Sequence, residues 1–323
     1  MHKNNKIRNS ILLFLCTFFI GNSAHFIAQT IRINEVVSSN TVHADEDGDY
    51  SDWFEIHNYG NQEVSMNGWS LTDDANDLTQ WTLPDITLAP NEYLFLWASS
   101  KNRTEIKFPR TLINQGDTFN YLIPTSEPDS NWKNSNFDDA NWSSGISGFG
   151  YNDGDDATII PNGTQSVYLR KTFTISNLAT VSSLILDVDY DDAFVAYING
   201  HEVARANING TPPAYNSTTI TDHEAQMYTG GIPERFVISD FNSFLTEGEN
   251  ILSIQAHNIS ASSSDFTIIP FLSAVFTSPN NLGIEPPTIL NLTKSHFHTN
   301  FKISSSSETL ILANAAGTIV NQI

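Results

Sequence analysis

The stretch from Ser166 to Arg205, SVYLRKTFTISNLATVSSLILDVDYDDAFVAYINGHEVAR, limits what this chain can fold into more than any other. Val167 and Leu169 and, after a shift of face, Phe173 and Ile175 mark a first strand. Leu184, Leu186, Val188 and Tyr190 then alternate with Ile185, Asp187 and Asp189, a period of two with one wet face. Residues 194–198 and 201–205 flank Asn199-Gly200, a pair that tolerates positive φ in a type I′ turn and so closes a hairpin. Three or more strands sharing an apolar face must bury it under a second layer. The expectation is the middle of a β-sandwich.

At 323 residues the chain has room for two domains. Lys3, Lys6 and Arg8 precede an apolar run at 11–20 that is too short to span a bilayer, and Ala24 and Ala28 offer small residues after it. Residues 1–28 therefore read as a secretory leader, with an uncleaved anchor as the rival; a lipoprotein signal at Cys16 is disfavoured because Leu15 precedes it. Secretion or display at the cell surface follows, with no membrane insertion after cleavage. Removing the leader takes the only cysteine, and it moves the formal charge from −21 to −24. Such a balance argues against nucleic acid and against anionic membrane surfaces, both of which need Lys and Arg. The seven N-x-S/T sequons between Asn102 and Asn291 reflect an Asn/Ser/Thr-rich composition.

Two resemblances organise the rest. Ile33-Asn34-Glu35, the run from Asp47 to Glu55, Gly68 to Asp73 and Leu88 to Ser99 resemble the INE strand, DGDxxDWxE turn, GWxLTD hairpin and LxPxxYLxxxAS strand of the lamin-tail domain, an immunoglobulin-like sandwich. Its closing hairpin, HTNFKISSSSETLILANAAGTIV, arrives only at 298–320. Between them, Trp132, Phe137-Asp138-Asp139, Trp142, the GFGY loop at 148–151, YLRKTF at 168–173, YDDAFVAYING at 190–200 and residues 249–258 resemble a jelly-roll, galactose-binding-like module. The expected organisation is a leader at 1–28, a first lamin-tail part at 29–110, an inserted jelly roll at 111–290 and a final hairpin at 291–323. Domain insertion is tolerated where the termini of the inserted unit lie close together. A second, truncated lamin-tail copy is the alternative. The fold class is all-β, an immunoglobulin-like sandwich carrying a jelly roll.

Candidate chemistry is sparse. Asp45, Asp47, Asp49 and Asp52 offer oxygens to calcium, although Gly48 falls where no EF-hand has it, and a solvated acidic turn is the plainer reading. Asp153, Asp155 and Asp156 repeat the pattern. Asp191 and Asp192, at a strand end, are ligand candidates or simply turn acceptors. Trp142 and Tyr151, with Trp132 and Phe149, form either a platform for a sugar ring or core. His296 and His298 share a strand face without a third metal ligand. No nucleophile elbow, P-loop, kinase loop or zincin motif occurs, and no catalytic site is expected.

The combined order resembles the N-terminal region of secreted CotH-like proteins, in which a kinase-like domain follows. That domain is absent here, so its activity does not transfer. The expectation is a non-catalytic module binding glycan or another extracellular polymer. The alternatives are an accessory region of a CotH-like protein and a structural spacer.

Overall fold

The computed structural model describes residues 30–306 and 308–323. The leader expected at 1–28, with Cys16, lies outside them. Among the described residues no helix is long and apolar enough to cross a membrane.

The chain is all-β and its strands sort into two sandwiches. In the first, one sheet runs Ile31–Val37, Asp52–Asn58, Tyr93–Ala98, Phe297–His298, the last strand parallel to its neighbour. The other runs Ile319–Gln322, Ile311–Ala313, Ser70–Thr72, Trp81–Thr82. Phe54, Ile56, Leu71 and Leu96 from the early strands share one core with Phe297, Phe301, Leu310 and Leu312 from the late ones. A two-stranded hairpin alone is marginal in water. The hairpin of Ile311–Ala313 and Ile319–Gln322 avoids that state because Ile311–Ala313 pairs onto Ser70–Thr72.

The second sandwich is the jelly roll. One sheet runs Ser143–Ile146, Thr118–Leu122, Ser166–Ile175, Gly248–His257, Ala193–Ile198, His201–Ala206. The facing sheet runs Thr158–Ile159, Phe149–Tyr151, Phe266–Phe276, Val181–Asp191, Glu234–Ile238. Phe108–Ile113 also pairs with Phe266–Phe276, so residues 108–110, read with the first segment, belong to this sheet. The two chain crossings lie side by side: Lys107 N donates to Ser295 Oγ at 2.7 Å, and Ser295 N to the Lys107 carbonyl at 3.0 Å.

Two local expectations need correction. Ser166–Ile175 pairs residue by residue with Gly248–His257 without a bulge, so Val167, Leu169, Phe173 and Ile175 face one core and no shift of face occurs. The supposed wet face of Val181–Asp191 is dry: Ile185, Asp187 and Asp189 are all buried. The segment around Leu290 and Met227 covers that face, packing on Ile269 and Phe271. The aspartates survive there because each finds donors. Arg235 Nε reaches Asp187 at 2.7 Å, and Gln226 N and Met227 N reach Asp189 at 2.7 and 3.0 Å.

Asn199 and Gly200 adopt φ of 51° and 88°, the left-handed pair that a type I′ turn requires. A Cβ on Gly200 would lie 2.3 Å from Asn134 Oδ1. Gly200→Val is therefore expected to destabilise the second sandwich by about 1–3 kcal/mol, from backbone strain and this clash. Thermal denaturation of the variant checks this, and an unchanged Tm would contradict it.

Candidate functional site

The turn at Asp45, Asp47 and Asp49 already holds a cation. Lys101 Nζ lies 2.6, 2.7 and 2.9 Å from one oxygen of each, and Arg103 pairs with Asp47 at 2.6 Å. Backbone N–H groups of Asp47 and Asp49 also donate to Asp45 Oδ1, which folds the turn around that buried carboxylate. Burial opposes charge on Asp45, but Lys101 and these N–H groups outweigh it and hold its carboxyl below the usual range. Asp52 points elsewhere, accepting from Asn40 N at 2.9 Å. Calcium at Asp45, Asp47, Asp49 and Asp52 is thus corrected to a lysine-filled turn, because an ammonium from 56 residues away sits among three of the carboxylates.

Glu46 in the same turn faces the opposite way. His296 Nδ1 meets its Oε1 at 2.7 Å, and His298 Nε2 meets its Oε2 at 2.9 Å; Ser99 Oγ completes the row at 2.8 Å from His298 Nδ1. Burial pushes the Glu46 carboxyl up, yet the two histidines more than reverse this and hold it well below the usual carboxylate range. Ser99 and His298 are buried. The row is a strut tying the early turn to the late strand, and it accounts for the two histidines on one face.

The aromatic residues divide. Tyr151 is 1 % exposed, stacks on Phe266, and its hydroxyl accepts from Asn258 Nδ2 at 3.1 Å. It offers no face to a sugar, which corrects its place in the platform. Phe149 and Trp132 are core as well. Trp142 alone is half-exposed, with its ring beside Trp132 and edge-on to Phe137.

Arg170 holds these aromatics in place, a residue that no sequence motif singles out. Its side chain is 2 % exposed. Nε donates to Asp139 at 2.6 Å, Nη1 to the carbonyls of Trp132 and Asn134, and Nη2 to that of Phe137. One guanidinium fork therefore binds the whole loop from Trp132 to Asp139 onto the sheet. The available signal was an arginine inside the alternating strand 166–175. Over this hub opens a cleft of about 350 Å³, where Phe137 lies among the exposed or half-exposed Ser135, Lys171, Thr172 and Glu249.

The strand-end aspartates are not exposed ligands either. Asp192 accepts from His223 N at 2.8 Å and Ile259 N at 2.7 Å, and so acts as a turn anchor. Asp191 is 3 % exposed and lies beside Glu224 and Asp265.

Residues 28–177 match the family model of the Lamin Tail Domain. The match runs past the first sandwich into Phe108–Ile113, Thr118–Leu122 and Ser166–Ile175, which the structure places in the second. No curated protein matches the sequence. Among solved structures, a Bacteroides uniformis β-glucuronidase is similar at 17 % identity and a TM-score of 0.33, covering 52 % of this chain and 18 % of that one. An uncultured Clostridium sp. β-glucuronidase is similar at 11 % identity and 0.35, covering 66 % and 34 %. The chain thus spans no more than about a third of the length of either enzyme.

Proposed function

We propose that this chain, whose residues 28–177 match the Lamin Tail Domain, is a non-catalytic extracellular module whose jelly roll binds glycan. The observation that carries the reading is the cleft over Arg170. Phe137 lines it with a cationic, an anionic and two hydroxyl side chains, Lys171, Glu249, Ser135 and Thr172, and the half-exposed indole of Trp142 packs edge-on against Phe137. Sugar rings are recognised by that combination: an aromatic face for the C–H surface and polar groups for the hydroxyls. The formal charge of −21 favours a neutral polymer over a polyanion, since like charges repel at encounter. The kinase activity of CotH-like proteins has no place in this reading.

The test is binding of the intact chain to an array of neutral and acidic polysaccharides. Expected is retention on at least one neutral glycan, weakened at least about tenfold by Trp142→Ala, the loss of roughly one aromatic contact. Trp142→Phe should recover part of it. No binding to any glycan, or binding indifferent to Trp142→Ala and confined to acidic polymers, would overturn the reading.

A further inference from the structure

The far end of the second sandwich concentrates carboxylates without a cation of its own. Asp191 projects from the end of Val181–Asp191, with one carboxylate oxygen within 4.8 Å of those of Glu224 and Asp265. Asp153, Asp155 and Asp156 form a second group of the same closeness on the adjoining loop. Among the described residues, no Lys or Arg forms an ion pair with any of the six. The contrast with the lysine-filled turn of the first sandwich is direct.

Independent of the clustering, several of these groups are buried without partners. Asp189 and Asp192, on either side of Asp191, are each capped by two backbone N–H groups. Asp191, at 3 % exposure, has no such donor, and its carboxyl meets other carboxyls. Oδ2 of Asp153 and both carboxylate oxygens of Asp155 are shut off from solvent and lack any hydrogen bond. An uncompensated buried carboxylate is among the costliest groups a fold can hold. The backbone is also shaped for this crowding: a Cβ on Gly150 would sit 2.2 Å from Asp156 Oδ2 and 2.0 Å from the Phe266 carbonyl. Only glycine lets Asp156 fold back over the strand.

We propose that this end of the jelly roll is a calcium site, with Asp191, Glu224 and Asp265 as ligands of one ion and Asp153, Asp155 and Asp156 as the adjoining ligand set. All six ligands are carboxylate oxygens, which selects a hard cation over zinc or copper. Calcium tolerates six to eight oxygens in irregular geometry, as three loops and a strand end supply here, whereas magnesium demands a near-ideal octahedron.

Calcium chloride titrated into the chelator-treated intact chain tests this by calorimetry and by thermal melting. Expected is binding of one or two ions and a rise in Tm of about 5 °C or more at saturating calcium, by mass action on the folded state. Magnesium should bind at least about tenfold more weakly. Glu224 is exposed, so Glu224→Gln should fold normally, and with Asp265→Asn it should weaken calcium binding at least about tenfold. Asp47→Asn in the lysine-filled turn should leave binding intact. A melting curve indifferent to calcium and chelator would overturn the site. So would a calcium response unchanged in Glu224→Gln and Asp265→Asn, or one abolished only by Asp47→Asn.

Discussion

A chain ending at Lys294 is expected to lose the folded first sandwich while keeping the second. The cut removes Phe297, Phe301, Leu310 and Leu312, all at most 4 % exposed, from a core they share with Phe54, Leu71 and Leu96. Burying such a side chain is worth about 1.5–3 kcal/mol, so the four together contribute roughly 6–12 kcal/mol. The whole stability of a domain is about 5–15 kcal/mol. The remaining strands would also keep an open edge at Tyr93–Ala98 and at Ser70–Thr72, where Phe297–His298 and Ile311–Ala313 now pair. Leu290 and Leu292 stay in place, so the outer cover of the second sandwich is retained. Calorimetry of the truncated chain should show one transition fewer than the parent, with red-shifted emission from Trp53, Trp69, Trp81 and Trp97. Survival of both transitions would show that the late hairpin is dispensable.

The second large effect is expected at Arg170. Replacing it with alanine leaves Asp139 without its ion pair and the carbonyls of Trp132 and Phe137 without donors, while that of Asn134 keeps only Phe137 N. Breaking a buried pair by removing one partner costs about 3–5 kcal/mol. The cost should appear as a fall in Tm of the second sandwich and as rapid tryptic cleavage at Lys133, since the loop from Trp132 to Asp139 is no longer pinned. Asp139→Asn keeps a hydrogen-bond acceptor on a partly exposed side chain, so it should cost much less. An Arg170→Ala chain with the parent's Tm and protease resistance would contradict the role given to this residue.

What the sequence disclosed, it disclosed through local rules. Asn199-Gly200 announces its turn because only a few residue pairs accept two consecutive positive φ values. The alternation in residues 184–190 announces a strand for the same local reason. It misleads on exposure, because what covers Asp187 and Asp189 comes from residues near Met227 and Leu290, which have no periodicity to read. The acidic runs show the limit most clearly. Residues 45–49 and 153–156 look alike on paper, yet one encloses Lys101 and the other has no cation. That difference lies in a side chain 56 positions along the chain in one case, and in Asp191, Glu224 and Asp265 in the other. Tyr151 likewise resembles Trp142 as a surface aromatic until Asn258 and Phe266 enclose it.

The side-by-side crossings at Lys107 and Ser295 carry a consequence for how the molecule is made. Ser99 and His298, joined in the strut, are 199 residues apart. At ~5–20 residues per second, a ribosome needs roughly 10–40 s to deliver the second after the first. Through that interval Tyr93–Ala98 and Ser70–Thr72 each wait with one edge unpaired, since Phe297–His298 and Ile311–Ala313 come later in the chain. The second sandwich, whose strands all lie between Phe108 and Phe276, is complete first. Its closure brings residue 107 to residue 295 and converts a long search into the docking of a short tether, whose closure entropy grows only with the logarithm of its length. Birth order thus makes the inserted unit a folding template for its host, and a variant that slows the jelly roll should strand the first sandwich half-built.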